Sequence, residues 1–204
     1  MIPPLLLATR NPKKLAELRR GLRGVRARCE TLDAYPQVPP VREDGATFDA
    51  NALKKALGPS RRLPDALVVA EDSGLVVTAL GGAPGVRSAR FSRGGDAANN
   101  RKLLRLLRGV PAARRGAAFV CVVAVAWRGR RLGLARGECR GTIAEAPRGA
   151  TGFGYDPVFI PRGFRRTFAE LGPRVKDRLS HRGFALRRAR PLIRAALRAA
   201  RRAA

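Results

Sequence analysis

Glu71 and Asp72 are adjacent carboxylates that follow a strongly apolar segment at residues 67–70. Charged groups next to a buried strand cost free energy unless they bind a metal or are paired with other groups. Mg²⁺ commonly takes one or two protein carboxylates and completes its coordination with water and phosphate oxygens. The pair therefore indicates a magnesium site, for which the acidic turn at Glu43 offers a further ligand. An Asp-Ser-Gly sequence is also common in turns, and the residues alone leave both interpretations open.

The segment that joins the first predicted strand to the first predicted helix is rich in groups that bind anions: Thr9, Arg10, Asn11, Pro12, Lys13 and Lys14. A helix N-terminus presents backbone N–H groups without helical partners and the positive end of the helix dipole, so a phosphate group can bind there. Lys14, in the first turn, would reach the same anion. An ordinary Asn cap with solvated lysines explains the same residues, and the sequence lacks the P-loop pattern.

A loop of glycine and aromatic residues contains Phe153, Gly154, Tyr155 and Asp156. Glycine lets the backbone approach a ligand closely, and a Phe or Tyr ring can stack on a nucleobase. The same rings can instead pin the loop to the core. Both interpretations stay open at the level of this motif.

Lys176 and the run Ser180-His181-Arg182 form the last polar group that could contact a ligand. His181 is the only histidine in the chain, which excludes a metal site built from two histidines. A single histidine is more often a packing residue than a catalyst. Its position between a hydroxyl and a guanidinium nevertheless favours a polar pocket.

The elements that must position these residues follow from the spacing of apolar side chains. In the first half of the chain the spacing predicts a strand over 4–9, a helix over 11–24, a strand over 25–32, a helix over 47–57, strands over 67–70 and 75–80 on either side of a turn at 71–74, and a helix over 96–108. Helices and strands therefore alternate through this half.

The second half begins with a predicted hairpin whose strands cover 117–127 and 132–142. A glycine-rich loop follows at 146–157, and helices are predicted over 164–171 and from residue 183 onward, the last interrupted by Pro191. Alternating elements together with a hairpin predict an α/β fold with a mixed sheet. A length of 204 residues predicts a single folded domain, which can be divided into two lobes.

The composition narrows the classes of function. The chain carries 42 Lys and Arg against 15 Asp and Glu, a formal net charge of +27, which by itself suggests a nucleic-acid partner. No zinc-finger spacing, helix-turn-helix pattern or RNA-binding aromatic motif accompanies that charge. We therefore expect no specific nucleic-acid partner.

Membrane and secreted classes are also disfavoured. The longest apolar run has 11 residues, at 117–127, short of the roughly 20 that cross a bilayer. The N-terminal segment does not have the pattern of a signal peptide. The three cysteines, Cys29, Cys121 and Cys139, are odd in number and widely spaced, so we expect small buried core residues rather than disulfides or zinc ligands. These features predict a cytoplasmic protein without a membrane partner.

Taken together, the motifs resemble those of the Ham1/RdgB inosine triphosphate pyrophosphatases. They are Thr-x-Asn-x-x-Lys at 9–14, Glu-x-Gly-x-Thr-Phe-x-x-Asn-Ala at 43–52, Asp-Ser-Gly-Leu-x-Val-x-Ala-Leu-Gly-Gly-Ala-Pro-Gly-Val at 72–86, Ser-Ala-Arg at 88–90, Gly-Phe-Gly-Tyr-Asp-Pro at 152–157, Thr-Phe-Ala-Glu-Leu at 167–171 and Ser-His-Arg-Gly at 180–183. Each motif is modest, but their joint order and spacing cover nearly the whole chain.

The resemblance implies an enzyme that hydrolyses ITP, dITP and XTP to the monophosphate and pyrophosphate with Mg²⁺. It implies a single ITPase-like domain over 1–204, in which helices flank a mixed, twisted central sheet, with two lobes and an active-site cleft, usually in a homodimer. The rivals are a pyrophosphatase for pyrimidine or otherwise modified nucleotides, and a basic nucleic-acid-binding protein without catalysis.

The resemblance also assigns roles to individual residues. Asp72 would be a metal ligand and the proton acceptor for the attacking water, with Glu43 as a further ligand and Ser73 as a substrate contact. The segment Thr9 to Lys14 would grip the triphosphate. The base and sugar would be held by Phe153, Gly154, Tyr155, Asp156, Lys176, His181 and Arg182. Two departures concern the metal shell: Glu71 stands where many relatives have a second Asp, and Arg42 where an acid often precedes the Glu.

Overall fold

The structure is a computed structural model that describes residues 3–202. Its strands are β1 Leu5–Leu7, β2 Cys29–Thr31, β3 Leu67–Val77, β4 Gly116–Trp127, β5 Arg130–Ile143 and β6 Phe159–Pro161. Its α-helices are α1 Pro12–Gly21, α2 Phe48–Arg62, α3 Gly95–Leu106, α4 Phe168–Leu179 and α5 His181–Arg202. Short 3₁₀ turns at 32–34, 78–80, 85–90 and 112–114 connect them.

The strands form one six-stranded sheet in the order β2-β1-β3-β4-β5-β6. β1 pairs in parallel with β2 and with β3, so that Leu5 lies opposite Cys29 on one side and Leu67 on the other. β6 pairs antiparallel with β5. The sheet is therefore mixed, and the predicted α/β class is confirmed.

The chain divides into two compact units. The first contains residues 1–72, 121–137 and 182–204. Its core joins apolar residues of β1 and β3 to those of α1 and α5, including Leu5, Val69, Leu18, Leu186 and Ile193. Burial of this continuous apolar surface is what holds the two helices on the strands.

The second unit contains residues 73–120 and 138–181. Three phenylalanines lie at its centre, with 4.6 Å between the ring centroids of Phe119 and Phe159 and 5.4 Å between those of Phe159 and Phe168. Leu75 and Leu103 complete the same apolar cluster. The core therefore gathers residues from the sheet, from α3 and from α4.

The predicted hairpin is present, with a turn shorter than expected. Arg128 and Gly129 have φ values of 49° and 73°, the left-handed conformation that a two-residue type I′ turn requires at both positions. Gly129 adopts this conformation without strain, because it has no Cβ. Strand β5 consequently begins at Arg130, inside the segment predicted to be the turn.

The predicted turn at residues 71–74 is wrong. β3 continues through these residues to Val77, and both Glu71 and Asp72 are buried within it. The turn was predicted because buried carboxylates are costly, but here each carboxylate has charged or polar partners that compensate its burial. The alternative of paired carboxylates therefore applies.

The C-terminal helices also differ from the prediction. α4 begins at Phe168 because Thr167 and Glu170 form a capping box, and it runs past a kink at Gly172 to Leu179. α5 continues through Pro191, since Leu186 and Ile193 pack into the core on either side of it. The three-residue strand β6 lies outside every predicted element, because so short a segment carries no periodic signal.

The cysteines are partly as predicted. Cys121 and Cys139 are free and buried, whereas Cys29 is exposed, which contradicts its assignment to the core. Cys29 lies on β2, the first strand in the sheet order, which pairs with β1 on one side. A strand at this position is less enclosed than the central strands. Among residues 3–202, no helix combines the length and the apolar character that crossing a bilayer requires.

Candidate active site

Glu71 and Asp72 project from neighbouring positions of β3, and neighbouring strand residues point to opposite faces of a sheet. Accordingly, the two carboxylates have different sets of partners. Glu71 contacts Lys14 and Arg182, whereas Asp72 contacts Asn51 and Lys55. The strand thereby separates one carboxylate that is held by fixed cations from one with looser contacts.

Glu71 is the centre of a buried ion network. Its Oε1 lies 2.7 Å from the Lys14 Nζ, and its Oε2 lies 3.3 Å from an Arg182 Nη. Arg182 also pairs with Glu17 of α1, so one guanidinium joins two carboxylates. Burial by itself would raise the pKa of Glu71, but the charges of Arg182, Lys14 and Lys55 outweigh it and hold that pKa well below its ordinary value.

The Cys121 thiol belongs to the same network, as its Sγ lies 3.3 Å from the Glu71 Oε2 and donates to it. Burial, and then the charge of Glu71, raise the pKa of Cys121 well above its ordinary value. The thiol is therefore a neutral hydrogen-bond donor here. It is not activated as a nucleophile.

Asp72 has weaker compensation. Its Oδ2 accepts a 3.2 Å hydrogen bond from the Asn51 amide, and its Oδ1 lies 3.5 Å from the Lys55 Nζ. Burial, opposed chiefly by Lys55 and reinforced by the charge of Glu71, raises the pKa of Asp72. A carboxylate with a raised pKa and a nearby ammonium group has the properties of a proton acceptor or a cation ligand.

Lys55 is a site residue that the motif analysis missed. Its Nζ lies 3.2 Å from the Glu43 Oε2 as well as 3.5 Å from the Asp72 Oδ1, so it brings the two predicted metal ligands to one cation. The available signal was its spacing: Lys55 follows Asn51 by four residues, which places both on one face of α2. Asn51 in turn bonds Asp72 and the Gly45 N–H, which ties α2 to the acidic turn.

The donor set fits a hard divalent cation in part. The Glu43 and Asp72 carboxylates both lie beside the Lys55 ammonium, and carboxylate oxygens are ligands that Mg²⁺ takes when substrate phosphates complete its shell. No cluster of three or more His, Cys, Asp or Glu side chains suited to a metal occurs among the described residues. A cation held here would therefore depend on ligands from the substrate.

The segment from Thr9 to Lys14 is an Asn-capped helix start. The Asn11 Oδ1 accepts hydrogen bonds from the backbone N–H groups of Lys13 and Lys14, at 3.0 and 3.2 Å, and Pro12 occupies the first helical position. The predicted cap is confirmed. These two backbone N–H groups, which are candidate phosphate donors, donate to the Asn11 side chain as in an ordinary Asn cap.

Side chains are the remaining anion-binding groups of this segment. The side chain of Lys14 is 19% exposed, although its ammonium pairs with Glu71. Arg10 donates to the Val38 carbonyl at 3.0 Å, which turns its guanidinium toward the loop that follows β2. The phosphate grip predicted for Thr9 to Lys14 stays a prediction, with Lys14 as its best placed member.

The second unit contains a buried ion pair between Lys176 and Asp156, with 2.6 Å between the Lys176 Nζ and the Asp156 Oδ2. The same carboxylate accepts from the Phe153 N–H at 2.8 Å, and the Lys176 ammonium lies 4.3 Å from the centroid of the Phe153 ring. A Cβ on Gly152 would lie 2.2 Å from the Asp156 Oδ2. The turn around Asp156 therefore requires glycine at 152, and it fixes the Phe153 ring beside the ammonium.

Tyr155 is one of the two loop rings for which stacking on a base and pinning to the core were both left open. Its ring is buried in the apolar cluster of the second unit, and its hydroxyl donates to the Ser88 carbonyl at 2.9 Å. Burial raises the pKa of Tyr155. Of the two interpretations left open for the loop rings, pinning to the core applies to Tyr155, since a ring packed on the core presents no free face to a base.

Gly154 is fixed from both sides of its backbone. Its N–H donates to Asp96 at 2.8 Å and its carbonyl accepts from the Asn100 amide at 2.9 Å. Both partners lie on α3. The loop of residues 152–157 is therefore preorganised by α3 and Asp156, and the N–H groups of Phe153 and Gly154 are already engaged.

The remaining predicted residues are distributed between the two units. Ser73 lies half-buried in β3. His181 is buried, and its ring stacks on Phe119 with 4.7 Å between centroids. Arg182 is fully enclosed and pairs with Glu17 and Glu71, so the structure gives it the role of a counter-ion in the first unit. Its assignment as a base contact stays a prediction.

The fold and this site define an α/β protein with a carboxylate and lysine site suited to phosphate chemistry. The chain belongs to the Ham1 family, since the model of that family matches residues 5–192. A dITP/XTP pyrophosphatase from Mycobacterium bovis is 50% identical over 95% of this chain and 97% of the relative. Another from Anaeromyxobacter sp. (strain Fw109-5) is 47% identical over 93% of this chain and 96% of its own length.

A solved structure supports the same assignment. A HAM1 protein from Coxiella burnetii is 36% identical and superposes with a TM-score of 0.85, over 94% of this chain and 98% of that one. The family predicted from the motifs is therefore confirmed, and so is its α/β fold.

The charge of Glu71 should contribute strongly to stability. We expect Glu71→Gln to lower the free energy of unfolding by about 3 kcal/mol at pH 7, because it leaves Lys14 and Arg182 with less compensating charge in a buried site. The folded-state pKa of Glu71 lies below its unfolded value of about 4.3, so the contribution is complete above that pH and is lost as the pH falls through the folded pKa. Urea unfolding at pH 7 and below pH 4 measures the difference between variant and parent.

Glu138→Gln is the matched control, because Glu138 pairs with Arg140 on the surface, where 74% of the arginine side chain is exposed. Such pairs contribute less than about 1 kcal/mol. Equal losses in the free energy of unfolding for the two variants at pH 7 would contradict the claim that Glu71 is the centre of the buried ion network.

Proposed function

We propose that this chain hydrolyses ITP, dITP and XTP to the nucleoside monophosphate and pyrophosphate, and so removes deaminated purine nucleotides from the nucleotide pool. The observation that carries the proposal is the placement of Asp72 against Lys55 and Asn51 in a member of the Ham1 family. Relatives that share about half of its residues over nearly its whole length are described as dITP/XTP pyrophosphatases.

The cofactor we propose is Mg²⁺, held by Asp72 and Glu43 together with phosphate oxygens of the substrate. When bound, such an ion withdraws electron density from the phosphoryl oxygens and neutralises their charge. The two positions where the chain differs from the family pattern, Glu71 and Arg42, leave the pair of Asp72 and Glu43 intact. Glu71 is occupied by Lys14 and Arg182, and Arg42 lies 3.4 Å from Asp44 on the surface.

Within the chain, the chemistry is assigned as follows. Asp72 accepts a proton from the attacking water, for which its raised pKa suits it. Lys14 and Lys55 offset the negative charge of the triphosphate, since both are cationic side chains within ion-pair distance of the two strand carboxylates. Phosphoryl transfer depends mainly on positioning and charge stabilisation, so no protein nucleophile is required.

Selectivity is proposed to come from the second unit. The Phe153 ring, held beside Lys176, offers a half-exposed aromatic face for a purine, and His181 and Ser73 are the further contacts carried over from the family motifs. A 6-oxo purine presents an acceptor where adenine presents an amino group. A site built around that hydrogen bond rejects the wrong base by orders of magnitude, because buried polar groups would be left unpaired.

The assembly and location are also proposals. We propose a homodimer that acts in the cytoplasm, on a nucleoside triphosphate and without a specific nucleic-acid partner. Size-exclusion chromatography with light scattering tests the dimer: a mass of one chain at micromolar concentration would contradict it.

A substrate panel tests the function. We expect ITP, XTP and dITP to be hydrolysed at least about 100-fold more efficiently, as kcat/KM, than ATP, because adenine carries an amino group where the proposed hydrogen bond requires a 6-oxo acceptor. GTP and dTTP complete the panel. Pyrophosphate and phosphate are measured separately, with and without Mg²⁺. Preferred hydrolysis of dTTP would favour the pyrimidine alternative, and release of phosphate alone would contradict cleavage to the monophosphate.

Asp72→Asn tests the assigned base. We expect the substitution to reduce kcat for ITP by at least about 1,000-fold, since an amide neither accepts the proton nor binds the cation as a carboxylate does. The fold should survive, because Asn keeps the shape of Asp and still reaches Lys55 and Asn51. Asp65→Asn, at an exposed position in the turn between α2 and β3, is the matched control. Turnover within tenfold of the parent in Asp72→Asn would remove Asp72 from the reaction.

A further inference from the structure

A basic groove lies in the second unit, and none of its lining residues belongs to the site described above. Its volume is about 990 Å³. The residues that line it include one carboxylate, Glu145, and five cationic side chains: Arg101, Lys102, Arg105, Arg108 and Arg115. The charges of the lining residues alone therefore give the groove a strongly positive electrostatic potential.

The helix α3 supplies most of this charge. Arg101, Arg105 and Arg108 are spaced by four and three residues, which places them on one face at the C-terminal end of the helix and the turn after it. All three are exposed, and within residues 3–202 no carboxylate lies within 4.0 Å of any of their guanidinium groups. Lys102 stands beside them, with its Nζ 2.6 Å from the Phe91 carbonyl and over the Phe91 ring.

Arg115 also lines the groove and is only 5% exposed. Its guanidinium donates to the carbonyls of Leu107, Ile143 and Ala144, each at 2.9 Å. Carbonyl dipoles orient this cation but do not cancel its charge, and in the part of the chain that is described no carboxylate pairs with it. A buried cation without a counter-ion is costly, and an anion in the groove would lower that cost.

We propose that this groove binds a small phosphate-rich anion, such as pyrophosphate, tripolyphosphate or the triphosphate chain of a nucleotide. Arginine presents several N–H donors in a plane that matches phosphate oxygens, and arginines spaced along one helix face bind successive phosphates of a chain. The proposal does not depend on the proposed hydrolysis of ITP, because it uses other residues.

The shape of the groove favours a compact anion over nucleic acid. It is concave, and the apolar side chains of Leu104, Val110 and Pro111 line it together with the cations. Its described lining contains no aromatic ring on which bases would stack, which is the usual platform for single strands. The Glu145 carboxylate on the wall would repel the backbone of a long polyanion that ran past it.

A titration followed by NMR tests the site where it lies. Sodium tripolyphosphate is added to the ¹⁵N-labelled full chain at constant ionic strength, with EDTA to remove metals, and the amide signals of residues 101–115 are recorded. We expect saturable shifts of these amides, and a dissociation constant at least about tenfold weaker in the double variant Arg101→Ala/Arg105→Ala. ATP in a second titration tells whether a nucleotide triphosphate binds as the inorganic chain does.

Arg130→Ala/Arg131→Ala is the matched control, because it removes the same charge from exposed positions in the hairpin. It should leave the dissociation constant within twofold of the parent. The proposal is overturned if the amides of 101–115 do not respond, if both double variants weaken binding equally, or if sulfate at equal ionic strength produces the same shifts. Binding of a 12-base-pair duplex at these amides with no response to tripolyphosphate would also overturn it.

Discussion

Compensation of two buried carboxylates on one strand is the constraint on which the rest of the site depends. β3 carries Glu71 and Asp72 through its buried part, where an uncompensated charge would cost several kcal/mol. The cations that compensate Glu71 come from remote segments: Lys14 from the start of α1 and Arg182 from the start of α5. Arg182 also binds Glu17, so the same network joins α1 to α5. Charge balance at one strand position thereby contributes to the packing of the first unit and also places Lys14.

The two carboxylates consequently have different chemistry although they are adjacent. Fixed cations hold the pKa of Glu71 well below its ordinary value and so keep it ionised at neutral pH, which suits a structural anion. Asp72 has a raised pKa, and within residues 3–202 its polar contacts are the Asn51 amide and the more distant Lys55 ammonium, which leaves it able to exchange partners. Environments that push the pKa values of neighbouring acids apart are how enzymes assign separate roles to similar groups.

Much of the fold was predictable, because its signals are local. Asn11 and Pro12 mark the start of α1, and Leu18 and Leu22 repeat along its buried face. The continuation of β3 through residues 71–74 was not predictable, because it depends on Lys14 and Arg182, which are far away in sequence. The four-residue spacing of Lys55 from Asn51 indicates a shared helix face, but the contact of Lys55 with Asp72 depends on how α2 packs and could not be predicted. Similarly, Tyr155 and Phe153 look equivalent in the motif, and the contact of Tyr155 with Ser88 distinguishes them.

The net charge of +27 suggested a nucleic-acid partner, yet several arginines have internal roles. Arg190, for example, donates a hydrogen bond to the Gly21 carbonyl at the end of α1.

The central claim is that Asp72 serves the reaction while Glu71 serves the structure. Electron paramagnetic resonance of Mn²⁺, used in place of Mg²⁺, tests it most directly, with a non-hydrolysable imido analogue of ITP to complete the coordination. We predict that the parent chain and Glu71→Gln, examined at a temperature where both are folded, bind one Mn²⁺ per chain in the presence of the analogue. Asp72→Asn should weaken that binding by about tenfold or more. Loss of Mn²⁺ binding in Glu71→Gln, with normal binding in Asp72→Asn, would contradict the account.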